Sequence, residues 1–340
     1  MLPFVSVIIP SYNEEKFITR VLDNVVDQDY PNDRMEVIAV DGNSEDITRE
    51  LILAKAKEYP IIKLLRNENQ YVPFALNLGI SNAKGEVIII MGSHSSYPPN
   101  YISLLVEALY KLETDNVGGI LINSATNNSL KSSAIAKVLS SIFGVGPSYF
   151  RIGSKNIKKV DTVPFGCYHR SVFDRIGLFD EELLRNQDDE FNARLIKHGG
   201  SIHLIPEVKI TYYTRDSVVA LWNMYFQYGL FKPLVNLKLK GSSTVRQFFP
   251  PAFVLFLVFS MVGSLFSPLI LFGLIGICGI YLITDLLFTL KIVLDSRRPL
   301  FLLFLPWLFP LLHLAYGTGY LAGILKFVII KEKPSADSAK

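Results

Sequence analysis

Cysteine is nearly missing from this chain: Cys167 and Cys278 are the only two, and they fall in separate halves. That excludes a disulfide framework and a cysteine-rich metal cluster. The five histidines do not stand at zinc-ligand spacing either, and His169 and His203 read as structural. His313, inside an apolar block, reads as a satisfied buried histidine or as a contact to a lipid phosphate. Net charge is only +3, which gives no footing for nucleic-acid binding. No internal repeat or low-complexity stretch is present. No signal peptide is expected, because the first strand begins almost at Met1, so the N-terminal domain is expected to stay in the cytoplasm.

What is abundant is apolar surface, at 50% of 340 residues, and it is unevenly spread. Residues 1–240 have the make-up of an ordinary α/β domain, whereas 248–330 are nearly free of charge. Residues 248–266 are long enough to cross a hydrocarbon core of about 30 Å as a helix. Residues 268–290 form a second run, interrupted by Asp285. A third block, 300–330, is broken by Pro306, Pro310, Gly317, Gly319 and Gly323 and reads as one span or a hairpin. Lys232, Lys238, Lys240 and Arg246 precede the first run, and Lys291, Arg297 and Arg298 follow the second. The positive-inside rule puts both sets in the cytoplasm. Lys326, Lys331 and Lys333 favour the same side, and with it the hairpin. Residues 216–247 mix Trp222, Tyr225, Phe226 and Tyr228 with lysines, the composition of amphipathic helices lying in a membrane interface. A soluble helix packed on the first domain is the other reading. Residues 331–340 are a tail.

The first part alternates strand and helix. Strands are expected at 5–9, 37–40, 61–65 and 86–91, with helices over 14–28, from about 45 with Ser44 as N-cap, and over 74–83. This order predicts a mostly parallel, Rossmann-like sheet with helices on both faces. Residues 123–160, rich in Ser, Asn, Gly and Lys, are expected to contain mobile loops near the site. In such sheets ligands bind at the carboxyl ends of the strands. Tyr12 and Glu14 follow the first strand and Asp41 ends the second, a pattern suited to a flat ring with hydrogen-bond donors. Asn13-Glu14-Glu15 and Asp41 also suit plain capping of a helix and a turn.

Several words in order carry a resemblance: Pro10-Ser11-Tyr12-Asn13-Glu14, Val40-Asp41-Gly42-Asn43-Ser44, Tyr97-Pro98-Pro99-Asn100-Tyr101, Val160-Asp161-Thr162-Val163-Pro164-Phe165-Gly166 and Gln187-Asp188-Asp189-Glu190. Across most of residues 4–232 the chain resembles the family 2 glycosyltransferases of GT-A fold, in particular the membrane-attached succinoglycan glucosyltransferase-like subgroup. The resemblance implies a GT-A domain over 1–215 and Pro10, Tyr12, Glu14 and Asp41 around the nucleoside of a UDP- or GDP-sugar. It also implies inversion at the anomeric carbon. The general base maps onto Asp188, with Gln187 where relatives carry Glu, and the donor or acceptor pocket onto Asp189, Gly166 and Lys232. Three adjacent acids raise one another's pKa, which suits a base; an acidic helix start complementing the macrodipole is the other reading.

Two departures stand out. The family places a metal-binding carboxylate motif, for Mg²⁺ or Mn²⁺ against the donor diphosphate, after the fourth strand. Here that place reads Met91-Gly92-Ser93-His94, with Gly92 where the aspartate is expected and His94 a poor lone ligand for a hard cation. At 224–228, Met224 and Gln227 replace the Gln and Arg of processive relatives, which argues against polymer synthesis. The expectation is a cytoplasm-facing, membrane-anchored transferase acting on a lipid-linked saccharide in surface polysaccharide or glycan assembly. Its partners are the nucleotide-sugar, that acceptor and membrane lipids. The alternatives are a catalytically silent nucleotide-sugar-binding subunit and a processive synthase.

Overall fold

Val5–Ser11 and Met35–Asp41 are apolar runs without polar alternation, and each becomes a strand buried almost throughout. That is the pattern of a parallel sheet covered on both faces. The structure, a computed structural model, describes residues 2–242 and 244–335. Ser243, within the segment expected as interface helices, and residues 336–340 of the tail lie outside the described residues.

In chain order, β1 (Val5–Ser11), α1 (Ile18–Val26), β2 (Met35–Asp41), α2 (Thr48–Glu58), β3 (Ile62–Arg66), α3 (Val72–Asn82) and β4 (Val87–Ile90) form the alternating first part. Then come β5 (Ser95–Ser96), α4 (Tyr101–Lys111) and β6 (Asn116–Ser124). Three short helices follow, α5 (Leu130–Val138), α6 (Ile142–Val145) and α7 (Tyr149–Ile152). Next are β7 (Lys158–Lys159), β8 (Cys167–His169), α8 (Ser171–Ile176), α9 (Gln187–Lys197) and β9 (Ile202–Tyr213). The helices α10 (Val218–Leu239), α11 (Phe249–Gly263), α12 (Pro268–Ser296) and α13 (Leu305–Gly323) complete the chain.

The strands form one sheet in the order β3-β2-β1-β4-β8-β6-β9-β5, with β7 on β9. β1 to β4 are mutually parallel, as expected, and β8 turns the sheet antiparallel beside β4. Near the amino ends of the parallel strands lies a buried polar knot. Ser6 and Glu36 are register partners, and Ser6 Oγ donates to Glu36 Oε1 at 2.8 Å. Lys63 Nζ reaches Glu36 Oε2 at 2.6 Å and the Lys84 amide reaches Oε1 at 2.7 Å. Burial alone would raise the Glu36 carboxyl; these hydrogen bonds outweigh it and hold the group below its ordinary range.

The described chain divides into a sheet unit, Met1–Ile122 with Ile152–Tyr213, and a helical unit, Asn123–Arg151 with Thr214–Lys340. Within the 123–160 stretch expected to contain loops, residues 123–151 carry α5, α6 and most of α7 and group with the second unit. There Ala134, Ile135 and Val138 share a core with Leu221, Leu308, Phe309 and Leu312. His313 is hydrogen-bonded at both ring nitrogens, to Tyr281 Oη (2.7 Å) and to the Phe143 carbonyl (2.8 Å).

Among the described residues three helices are long and apolar enough to cross a membrane: Val245–Gly263, Pro268–Ser296 and Leu305–Ile329. The last is a single helical run that loosens to π geometry over Ile324–Ile329, not the favoured hairpin. Its prolines sit near the first turn (Pro306) and inside the helix (Pro310), and its glycines are contact points rather than breaks. A Cβ at Gly319 would stand 2.9 Å from the Phe226 carbonyl carbon of α10, and one at Gly317 2.6 Å from the Pro250 oxygen of α11. Reciprocally, a Cβ at Gly229 of α10 would meet the Tyr316 carbonyl and stand 2.8 Å from the Tyr320 amide nitrogen. Small residues that let helix backbones touch are the packing device of membrane bundles.

Gly229→Ala and Gly319→Ala are each expected to cost about 1–3 kcal/mol through forced separation of α10 and α13. Thermal unfolding of the detergent-solubilised chain checks this. Glu36→Gln is expected to cost about 1–3 kcal/mol at neutral pH. The wild-type advantage is present above the ordinary carboxylate range and fades as pH falls through the depressed Glu36 value, so the two unfolding curves converge in acid.

Candidate active site at the strand ends

The turn after β1 and the turn after β2 are one interlocked structure. Asn13 and Asn43 both take left-handed backbone conformations, at φ 53° and 62°, which asparagine tolerates better than most residues. The Asn13 amide donates to Ser44 Oγ (3.0 Å), and the Glu45 amide returns to Asn13 Oδ1 (2.9 Å). The Glu14 amide donates to Thr48 Oγ1 (2.7 Å), and the Glu15 amide to Asp46 Oδ2 (3.2 Å). Ser44 is therefore not the expected cap of α2. Asp46 accepts the Thr48 amide at 3.0 Å instead, and α2 begins later than expected.

Tyr12 is 40% exposed and offers an open ring. Pro10 is half-buried, its carbonyl accepting from Ser93 Oγ at 2.8 Å. Asp41 and Glu14 do not present their carboxylates as the strand-end pattern suggested. Asp41 is wholly buried; its Oδ2 accepts from Arg49 Nε (3.0 Å) and Nη2 (2.8 Å), and the Ser44 amide adds a further bond. Its visible work is that of the turn-capping alternative. Arg49 and Arg66 also converge on Asn43 Oδ1, at 3.3 Å and 2.7 Å, gathering two guanidinium groups at the ends of β2 and β3. Neither arginine was singled out from sequence, because only the fold brings them to one oxygen.

Glu14 is 8% exposed; its Oε1 lies 2.8 Å from His94 Nε2, and its buried Oε2 has no hydrogen-bond partner among the described residues. The His94 ring packs edge-on to Phe17, with centroids 5.0 Å apart, and its carbonyl accepts from the Tyr213 amide. The rest of the 91–97 turn also faces inward. Tyr97 Oη accepts from the Gly92 amide at 2.6 Å, and its phenol is pushed up by burial. A Cβ at Gly92 would fall on the Phe165 ring, 2.5 Å from Cζ. Phe165 itself holds φ 48°, and its carbonyl accepts from Tyr101 Oη at 3.1 Å.

These residues do not fit the divalent cation that the family resemblance places at this turn. The carboxylate position is filled by a ring, and His94 is tied to Glu14. Among the described residues no three His, Cys, Asp or Glu side chains gather as a metal group. Mg²⁺ and Mn²⁺ are held mostly by carboxylate and other oxygen ligands, and residues 91–97 contribute no carboxylate.

Asp188 and Asp189 stand in the first turn of α9, behind Asn186 in a left-handed conformation (φ 59°). The helix N-terminus favours negative charge there. Glu190 does not complete an acid triad, because its carboxylate pairs with Arg194 at 2.8 Å and 3.0 Å. Gly166 lies beside β4, its carbonyl accepting from the Ile90 amide at 3.0 Å. Lys232 is buried on α10 of the helical unit.

Comparison with known proteins gives a consistent result. The model of the family described as "Glycosyl transferase family 2" matches residues 6–177. The dolichyl N-acetyl-α-D-glucosaminyl phosphate 3-β-D-2,3-diacetamido-2,3-dideoxy-β-D-glucuronosyltransferase of Methanococcus voltae is 33% identical over 95% of this chain and 98% of the relative. The succinoglycan biosynthesis protein ExoA of Rhizobium meliloti is 28% identical over 72% of this chain and 74% of the relative. The mannosyltransferase PcManGT of Pyrobaculum calidifontis, solved with GDP-Man and Mn²⁺, has a similar fold. It superposes with a TM-score of 0.60 at 17% identity over 98% of this chain and 89% of that one.

Arg49→Ala leaves the buried Asp41 carboxylate without its cation and is expected to cost about 3 kcal/mol, read by denaturant unfolding. Gly92→Asp is expected to lower the melting temperature by several degrees (a loss of about 1–3 kcal/mol), because the new side chain must displace Phe165.

Proposed function

The chain belongs to the family 2 glycosyltransferases, and on that footing we propose that it transfers a sugar from a nucleoside-diphosphate donor, with inversion, to a lipid-linked acceptor at a membrane surface. One observation supports the reading: interlocked turns with an exposed tyrosine ring at the strand ends occur in one chain with long apolar helices, and a relative named for a dolichyl-phosphate-linked saccharide aligns along nearly all of it.

In this reading the nucleobase, uracil or guanine, stacks on Tyr12. Pro10 and the interlocked turns, with Asp41 and Glu14 holding them from inside, shape the nucleoside end. Asp188 removes the proton of the acceptor hydroxyl as its oxygen bonds to the anomeric carbon. The bond from that carbon to the diphosphate oxygen breaks on the opposite face, and the nucleoside diphosphate leaves with the electron pair. Asp189 and Gly166 belong to the donor or acceptor pocket of the sheet unit. The basic residues flanking the α11–α12 pair favour a cytoplasmic face for the active site. No step is assigned to a metal.

Phe165 over Gly92 also favours a second reading, a silent subunit that binds nucleotide-sugar without turning it over. Calorimetric titration of the purified chain with UDP- and GDP-sugars, in EDTA and in Mn²⁺, tests the common premise. Binding is expected in EDTA, and no binding to any such donor in either condition sinks both readings. Tyr12→Ala is expected to weaken nucleotide binding about tenfold or more, the value of a base–aromatic stack. Asp188→Asn separates the readings. The transferase loses turnover about 100-fold or more while nucleotide affinity stays put, whereas the silent subunit has none to lose.

A further inference from the structure

Asn192 lies one helical turn after Asp188 and is wholly buried. Both ends of its amide are used. Oδ1 accepts from Asn116 Nδ2 (3.0 Å) and from Tyr168 Oη (3.4 Å), while Nδ2 donates to Thr162 Oγ1 (2.8 Å). The partners come from three places: the start of β6, the middle of β8 and the loop leading to β8. The Tyr168 ring lies across Gly166, where a Cβ would stand 2.5 Å from the hydroxyl. The Tyr168 phenol is pushed up by burial and further by the negative charge of Asp188, so the hydroxyl stays protonated and lies within electrostatic reach of that carboxylate.

The opposite side of α9 is pinned as well. Arg194 donates to the Ile176 and Leu178 carbonyls while pairing with Glu190 and lying over Phe191. Phe191 stacks on Phe179 at 4.4 Å between centroids. Apolar packing of this kind tolerates a small slide or rotation of a helix. A buried primary amide does not, because each partner it loses is left unsatisfied, at about 1–3 kcal/mol apiece.

We propose that Asn192, with Asn116, Thr162 and Tyr168, is a positioning device for Asp188, setting the height and rotation of α9 so that the carboxylate stands where the acceptor hydroxyl attacks. This rests on Asp188 being the base. Asn192 touches no substrate in this arrangement; it acts through the helix.

The test uses the full chain in detergent, the donor found by titration, and dolichyl N-acetylglucosaminyl phosphate as acceptor, with release of nucleoside diphosphate as the signal. Asn192→Leu is expected to lower kcat about 100-fold, the effect of misplacing a reacting group by about 1 Å, with donor KM and nucleotide Kd within about twofold of wild type. Asn192→Asp carries the rescue. Protonated, the acid has the same acceptor and donor as the amide; ionised, it loses the donor to Thr162. Its kcat is therefore expected to approach wild type near pH 6 and to fall toward pH 8, where wild type does not. Thr162→Val removes one partner and serves if Asn192→Leu does not fold; a loss of about 3–10-fold in kcat alone is expected. Unchanged kcat in a folded variant overturns the proposal. So does a loss of kcat that travels with nucleotide affinity and lacks the pH-dependent rescue. Full activity of Asp188→Asn fails the base assignment and this inference together. An inactive Asp188→Asn beside a fully active Asn192→Leu fails this inference alone.

Discussion

Backbone amides that leave β1 find their acceptors in the turn that leaves β2, and the sheet unit's candidate site is built on that exchange. Asn13 and Ser44, Glu14 and Thr48, Glu15 and Asp46 are bonded across two loops that neither strand could order by itself. Asp41 secures the second turn from beneath through Arg49, and Glu14 ties the first turn to His94. The charged residues near the site are thus spent largely on holding loops still. What faces outward is the Tyr12 ring, while Asp188 and Asp189 lie in the first turn of α9. A site arranged this way suits a reaction in which the enzyme chiefly orients two partners and moves one proton.

The helical unit rests on a different constraint. Between helices in lipid there is little to gain from hiding one hydrocarbon surface against another, and close backbone approach supplies the attraction instead. Gly229, Gly317, Gly319 and Gly323 supply it by having nothing to place between the helices. The polar contact of His313 with Tyr281 and the Phe143 carbonyl then fixes which segments meet.

The sequence made the parallel sheet legible because β1, β2 and β4 are buried strands written as plain apolar runs punctuated by turn residues. It also made the strand-end residues legible as positions. Their directions were hidden. Whether Asp41 looks outward or inward depends on Arg49, a residue on the following helix, and the inward answer follows from a pairing that no local pattern announces. Gly92 looked like a lost carboxylate; the fold adds a steric cause, because Phe165 arrives from far along the chain. Glu190 looked like part of an acid cluster until Arg194, one turn later, claimed it. The 300–330 block was misleading for the opposite reason. Proline and glycine there carry the signature of breaks, yet the helix runs through both prolines and the glycines mark contact.

The glycine contacts between α10 and α13 also bear on how the protein is made. At about 5–20 residues per second, α10 leaves the ribosome several seconds before α13 exists. During that interval Gly229 has no backbone to meet, and the core shared by Ala134, Ile135 and Val138 lacks Leu308, Phe309 and Leu312. The sheet unit ends at Tyr213 and can close early, yet the 123–151 excursion from its middle waits for the last long helix of the chain. The helical unit therefore cannot complete its core until α13 has been made. A chain cut short before α13 would carry a complete sheet beside an unfinished bundle.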